Sequence, residues 1–181
     1  QLDFSTINFI EQIRTPFLTL FFKAVTAMGE WGFVLGVLVL ISLFFMIKKT
    51  SRFNLDVFIL WAVTISGLGT AFVLKEIFHR GRPLGAIVAE TSSSFPSAHA
   101  IISVAFYAFI FYLLARNAKR RFSKYLLITA LFLVPVLIGF SRLYLGVHYL
   151  SDVLAGYAIG DFWFLIGVYG LKFINRRKLS A

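Results

Sequence analysis

The chain has 181 residues, 59% of them hydrophobic and only 14% charged, and a formal net charge of +10. A mean hydropathy of +0.85 excludes an ordinary soluble domain, and continuous apolar runs exclude the weak alternation of a membrane β-barrel, which leaves an integral membrane protein of helical class. Cysteine is absent, so disulfides and thiolate metal sites are excluded as well.

In chain order, residues 1–29 come first. Ile7, Ile10, Phe17, Leu18, Phe21 and Val25 recur at helical steps that break at Thr15-Pro16, which predicts short amphipathic helices lying at the membrane surface. Apolar runs then fall at 31–47, 55–78, 97–115, 124–141 and 146–174, each near the ~20 residues that cross a hydrocarbon core. They predict an all-α polytopic bundle of about five spans over residues 30–178, in a single domain covering 1–181. No repeat, low-complexity tract or Gly/Ser linker marks a second domain.

Charge orients the bundle. Lys48, Lys49 and Arg52, then Arg116, Lys119, Arg120, Arg121 and Lys124, then Lys172, Arg176, Arg177 and Lys178 hold twelve of the 18 basic residues. The positive-inside rule places these three regions in the cytoplasm, where they serve topology and anionic-lipid contact. No aromatic-interleaved basic platform accompanies them, so nucleic acid is not an expected partner.

Alternating the spans from there brings three polar clusters to the external face: Lys75 with Arg82-Pro83, Pro96-Ser97-Ala98-His99, and Ser141-Arg142 with His148 and Asp152. His148 and Asp152 are four apart, on one helical face, so the carboxylate can take the Nδ1 proton and leave Nε2 free. The forks of Arg82 and Arg142 and the point charge of Lys75 suit the equatorial oxygens of a phosphoryl group. Ser97 and the amides around Ala98 and His99, at a helix start, add neutral donors. No metal or other cofactor is expected: Asp152 and Asp161 lie nine positions apart, about 13 Å along a helix and out of phase.

The remaining singular residues carry weaker expectations. Glu30 and Glu90, near the external face, read as solvated acids ahead of the alternatives of meeting stray cations or shaping the entrance, Asp56 as a cytoplasmic helix start and His79 as an interfacial bystander. Asp161 reads either as a structural partner in the bundle or as part of the substrate cavity. Trp31, Tyr144, Tyr149 and Tyr157 read as belt residues, and Gly156 with Gly160 as a small-residue pair that packs the last span.

The three clusters resemble the signature of the type 2 phosphatidic acid phosphatase superfamily: Lys, six residues, Arg-Pro; Pro-Ser-Gly-His; Ser-Arg, five residues, His, three residues, Asp. Every spacing is met between Lys75 and Asp152, and Ala98 is the one departure. An alanine there matters only if the backbone needs a positive φ. The resemblance implies a membrane lipid phosphatase in which His148 attacks phosphorus to form a phosphohistidine, Asp152 orients it, and His99 protonates the leaving oxygen and then activates water. Lys75, Arg82, Ser97, Ala98 and Arg142 would bind the phosphate.

The implied substrates are undecaprenyl or another polyprenyl diphosphate, preferred for a compact chain, or phosphatidylglycerol phosphate, phosphatidate or lipid A phosphate. The external face would be that of a bacterial cytoplasmic membrane. A lipid phosphotransferase and an anion channel or transporter are the other classes open. Vanadium haloperoxidases share the pocket pattern but are soluble. Gln1 falls on the external side, and the six spans of many members of the family the chain resembles imply an upstream span or targeting segment. The oligomeric state is left open.

Overall fold

The computed structural model describes residues 2–48 and 51–179, without the side chains of 48, 51–54, 178 and 179. The basic residues Lys48, Lys49, Arg52 and Lys178 therefore lie wholly or in their side chains outside the described residues. Every regular element described is helical: α1 (Leu2–Gln12), α2 (Pro16–Ala27), α3 (Trp31–Lys48), α4 (Ser51–Phe78), α5 (Ala98–Ile102), a π-helical turn (Ser103–Ala108), α6 (Phe109–Asn117), α7 (Arg121–Tyr144) and α8 (Leu150–Leu179).

Local chemistry sets the breaks. Thr15 caps α2, accepting from the Leu18 amide at 3.2 Å, and Pro16 follows in the first turn, where its missing N–H costs nothing. Residues 28–30 then bend the chain by 49° between α2 and α3. Four segments are long and apolar enough to cross a bilayer alone: Leu55–Phe78, Ala98–Asn117, Arg121–Tyr144 and Leu150–Arg177. The run expected at 31–47 meets that test together with α2, as one bent pair. The chain is thus an all-α integral membrane protein of four or five spans.

Span three is a continuous helix from Ala98 to Asn117 containing the π turn, all six residues of which are buried. Packing against α8 is close because α8 presents glycines. A β-carbon on Gly156 would sit 2.7 Å from Ala100 Cβ, and one on Gly160 would sit 2.8 Å from the Ile101 carbonyl oxygen. The small pair therefore packs α8 onto the start of span three, and the Ser97 amide donates to the Asp152 carbonyl at 3.1 Å. Below this junction Leu60, Phe106, Phe109, Ile138 and Leu171 form the apolar core.

Two expectations are corrected here. Tyr144 is fully buried, its ring centroid 4.5 Å from that of Phe22 and its hydroxyl accepting from the Thr15 amide at 2.9 Å. It is a strut between α2 and α7, not a belt residue, because α2 covers the outer face of α7. Asp56 is buried and accepts from Arg116 Nη2 at 2.6 Å; a helix that starts at Ser51 has already carried it inside the bundle.

Candidate active site

Five motif side chains arrive from separate elements at one cavity of about 500 Å³. Lys75 comes from the last turn of α4, Arg82 from the following loop, His99 from α5, Arg142 from the last turn of α7, and His148 from the α7–α8 connection. Ala98 completes this wall. Ser97 and Asp152 stand behind it, fully buried. Leu68, Ala71 and Phe72 of α4, with Ile102 and Trp31, make the apolar side of the same space.

The cations are fixed by backbone and by short polar contacts. Arg82 Nε donates to the Ser92 carbonyl and Nη1 to the Val147 carbonyl, both at 2.8 Å, which leaves Nη1 3.5 Å from His148 Nε2. Lys75 donates to the Ser93 carbonyl. Arg142, 1% exposed, donates through Nη1 to Thr26 Oγ1 at 2.8 Å and through Nη2 to Glu90. Backbone carbonyls, Thr26 and Glu90 thus fix the three basic side chains at the cavity wall.

His148 Nδ1 lies 3.5 Å from Asp152 Oδ2, on the side the spacing predicts. That oxygen also accepts from the Tyr149 amide at 2.9 Å, and Oδ1 accepts from Arg80 Nη1 at 2.5 Å. Burial lowers the His148 pKa, Asp152 opposes it, and the Arg142 and Arg82 guanidinium groups add to the lowering, leaving it at about 4. The imidazole is therefore neutral near pH 7, with a lone pair for attack. His99 also faces a carboxylate, through its other ring nitrogen: its Nε2 is 3.6 Å from Glu30 Oε1. A β-carbon on Gly29 would come within 2.6 Å of His99 Cδ2, so the α2–α3 bend needs a glycine for the ring to fit.

Among the described residues, four buried side-chain nitrogen or oxygen atoms lack a hydrogen-bond partner: Ser97 Oγ, His99 Nε2, Arg142 Nε and His148 Nδ1. All four belong to the sequence clusters. Buried polar atoms are nearly always satisfied, so such a concentration marks a place organised around something other than the protein's own groups. Ala98 is not in the positive-φ region, so the departure from glycine introduces no backbone strain.

The sequence profile of the PAP2 superfamily matches residues 56–176, which contain all three clusters and the helices that carry them. The chain belongs to the PAP2 superfamily. It is 32% identical over 160 residues to phosphatidylglycerophosphatase B of Bacillus subtilis strain 168, covering 85% of this chain and 75% of the relative. The crystal structure of a transmembrane PAP2-type phosphatidylglycerolphosphate phosphatase from Bacillus subtilis superposes with a TM-score of 0.83 at 30% identity, over 97% of this chain and 85% of that one. Aquifex aeolicus LpxE shares the fold, with a TM-score of 0.72 at 24% identity over 93% and 96% of the two chains. The protein is a PAP2-type lipid phosphatase, a hydrolase that works on a phosphate-bearing membrane lipid.

Around this PAP2 cavity the structure gives definite places to residues that the sequence reading left as solvated acids or did not weigh. Glu90 and Glu30 are not merely solvated: both line the cavity, one on Arg142 and the other beside His99. Arg80 bridges Asp152 and Asp3, donating to Asp3 Oδ2 at 2.9 Å with its guanidinium 4.3 Å above the Tyr149 ring. Only Arg80 had a signal in the sequence, its place two residues before Arg82 inside the first cluster. His79 lines the cavity rim with an exposed side chain and a φ of +43°. Asp161 lies on the exposed face of α8 and does not line the cavity.

Proposed function

We propose that this PAP2 phosphatase removes the terminal phosphate of phosphatidylglycerol phosphate at the external face of a bacterial cytoplasmic membrane, through a phosphohistidine on His148. The observation that carries the chemistry is the shared cavity: two histidines and three basic side chains line one space of about 500 Å³. The choice of lipid rests on the relatives, two of which are named for this substrate. The side of the membrane rests on the basic connections at the other end of the bundle.

His148 Nε2 attacks phosphorus while the bond to the glycerol oxygen breaks, and His99 gives its proton to that oxygen. Arg82, whose Nη1 is 3.5 Å from the attacking nitrogen, holds a phosphoryl oxygen along the path of transfer, with Arg142 and Lys75 on the others. Asp152 steadies the ring and the positive charge it acquires. His99 then takes a proton from water, which cleaves the phosphorus–nitrogen bond and frees phosphate. Glu30, with Oε1 3.6 Å from His99 Nε2, is the carboxylate that faces this acid. The apolar wall of Leu68, Ala71 and Phe72 gives the glycerolipid body a route out between α3 and α4.

The site belongs to one domain over residues 1–181, with α1 and α2 along its external surface. A polyprenyl diphosphate is the second reading, because three basic side chains at one cavity suit its larger charge. Phosphate release by the purified protein from phosphatidylglycerol phosphate, undecaprenyl diphosphate, phosphatidate and lipid A phosphate, with His148→Ala as control, separates them. The expected result is highest kcat/KM on phosphatidylglycerol phosphate. Preference for the diphosphate would replace that substrate, and transfer of labelled phosphate into lipid would make the enzyme a phosphotransferase.

A further inference from the structure

The anion that joins the catalytic guanidinium groups in this structure is the protein's own. Glu90, in the loop between α4 and α5, accepts from Arg142 Nη2 through Oε1, and its Oε2 lies 3.7 Å from Arg82 Nη2. Its side chain is 27% exposed and lines the same cavity as both histidines. Arg82 therefore faces two ways, with Nη1 toward His148 Nε2 at 3.5 Å and Nη2 toward Glu90. A phosphoryl group attacked by that nitrogen must use the same two guanidinium groups.

We propose that Glu90 is a resident competitor of phosphate, a carboxylate that holds Arg82 and Arg142 between turnovers and reclaims them from the product. This rests on the phosphatase reading above. Two guanidinium groups and a lysine that suit the phosphoryl group of a substrate suit inorganic phosphate, the product, as well. A carboxylate within reach of the same donors counters this twice. It repels the dianion at short range, and it supplies the replacement hydrogen bonds when the dianion goes. Burial works against ionisation of Glu90, but hydrogen bonding and charge from Arg142, with Arg82 adding, hold its pKa below the usual carboxylate range. It is thus an anion throughout the neutral range.

A carboxylate that only braced Arg142 predicts the opposite behaviour, since neutralising a brace loosens the phosphate site. Glu90→Gln keeps the shape and one acceptor oxygen while removing the charge. The measurement is the dissociation constant of inorganic phosphate for the purified full chain in detergent, read from the concentration dependence of the thermal midpoint and, independently, from product inhibition of lipid hydrolysis. The expected result is phosphate binding tighter by about tenfold in Glu90→Gln, the equivalent of about 1.4 kcal/mol, with a matching fall in the inhibition constant. An unchanged or weaker constant in a variant that melts like the wild type overturns the proposal.

If Glu90→Gln does not fold, Glu90→Asp carries the test. Its carboxylate, one methylene shorter, cannot span both guanidinium groups, so phosphate must again bind more tightly, and an unchanged constant overturns the proposal. The binding arm needs no turnover. A wild type that binds phosphate but releases none from lipid would therefore sink the phosphatase reading separately.

Discussion

Two arginine–carboxylate contacts sit near opposite ends of α4, one by Asp56 and the other by Lys75, about 28 Å apart along the helix axis. At the first, Arg116 Nη2 donates to Asp56 at 2.6 Å beside an apolar cavity of about 560 Å³ lined by Leu60, Ile110 and Leu113. At the second, Arg142 meets Glu90 in a cavity where Arg142 Nε, both histidine rings and Ser97 Oγ keep an atom without a partner. Arginine on a carboxylate has no unpartnered buried side-chain atom beside it in the first place, among the described residues, and is part of an unfinished polar set in the second. A buried ion pair alone is weak evidence for anything; the unsatisfied atoms around it distinguish a reaction site from a strut.

The largest effects should fall at the unfinished end. His148→Ala should reduce phosphate release by at least about three orders of magnitude, since no other group supplies the nucleophile; a smaller loss in steady-state assays would remove His148 from that role. Arg142→Ala should cost about 10² to 10³ in kcat. His99→Ala should cost a similar 10² to 10⁴ on lipid but far less on an aryl phosphate, whose leaving oxygen needs no proton. Equal losses on both substrates would break its assignment as the acid.

The pH dependence sharpens the same contrast. Because His148 is depressed to about 4, its neutral form is present at neutral pH and is lost only as pH falls through that value. The acid limb of kcat/KM for the free enzyme should therefore lie near pH 4 and not near 6.5. An acid limb near 6.5 would show that the ring is not buried as described.

At the Asp56 end the expected effect is smaller and of another kind. Asp56→Asn should destabilise the protein by about 1 to 3 kcal/mol, between the exposed and fully buried limits for ion pairs, with kcat on lipid little changed. Loss of turnover without loss of thermal midpoint would contradict the division. Smallest of all, EDTA should leave the rate within about twofold, because the cations replace a metal in charge compensation.

Much of this was legible in the sequence. The order and spacing of the clusters placed Lys75, Arg82, His99, Arg142 and His148 at one end of successive apolar runs, and alternation across a bilayer then forces them together. The spacing of His148 and Asp152 named the right pair, but not through a shared helical face: His148 precedes α8, which starts at Leu150, and the connection brings its Nδ1 to 3.5 Å from the carboxylate. What escaped came from outside that periodic frame. Glu90 reaches Arg142 through an irregular loop, and Asp3, Thr26 and Glu30 reach the site from the N-terminal helices, whose docking on α7 and α8 depends on tertiary packing. Tyr144 misled for the same reason: an aromatic at a span end looks like an interfacial anchor until α2 is known to cover it.

The central claim is that the histidine next to Asp152 carries the phosphoryl group covalently. Rapid quenching of the wild-type enzyme during turnover of lipid labelled at its terminal phosphate, followed by alkaline workup and peptide mapping, tests this directly. The account predicts an acid-labile, base-stable label on the His148 peptide that forms before free phosphate appears and is missing in His148→Ala. Free phosphate accumulating with no labelled histidine, or with the label on His99, would contradict it.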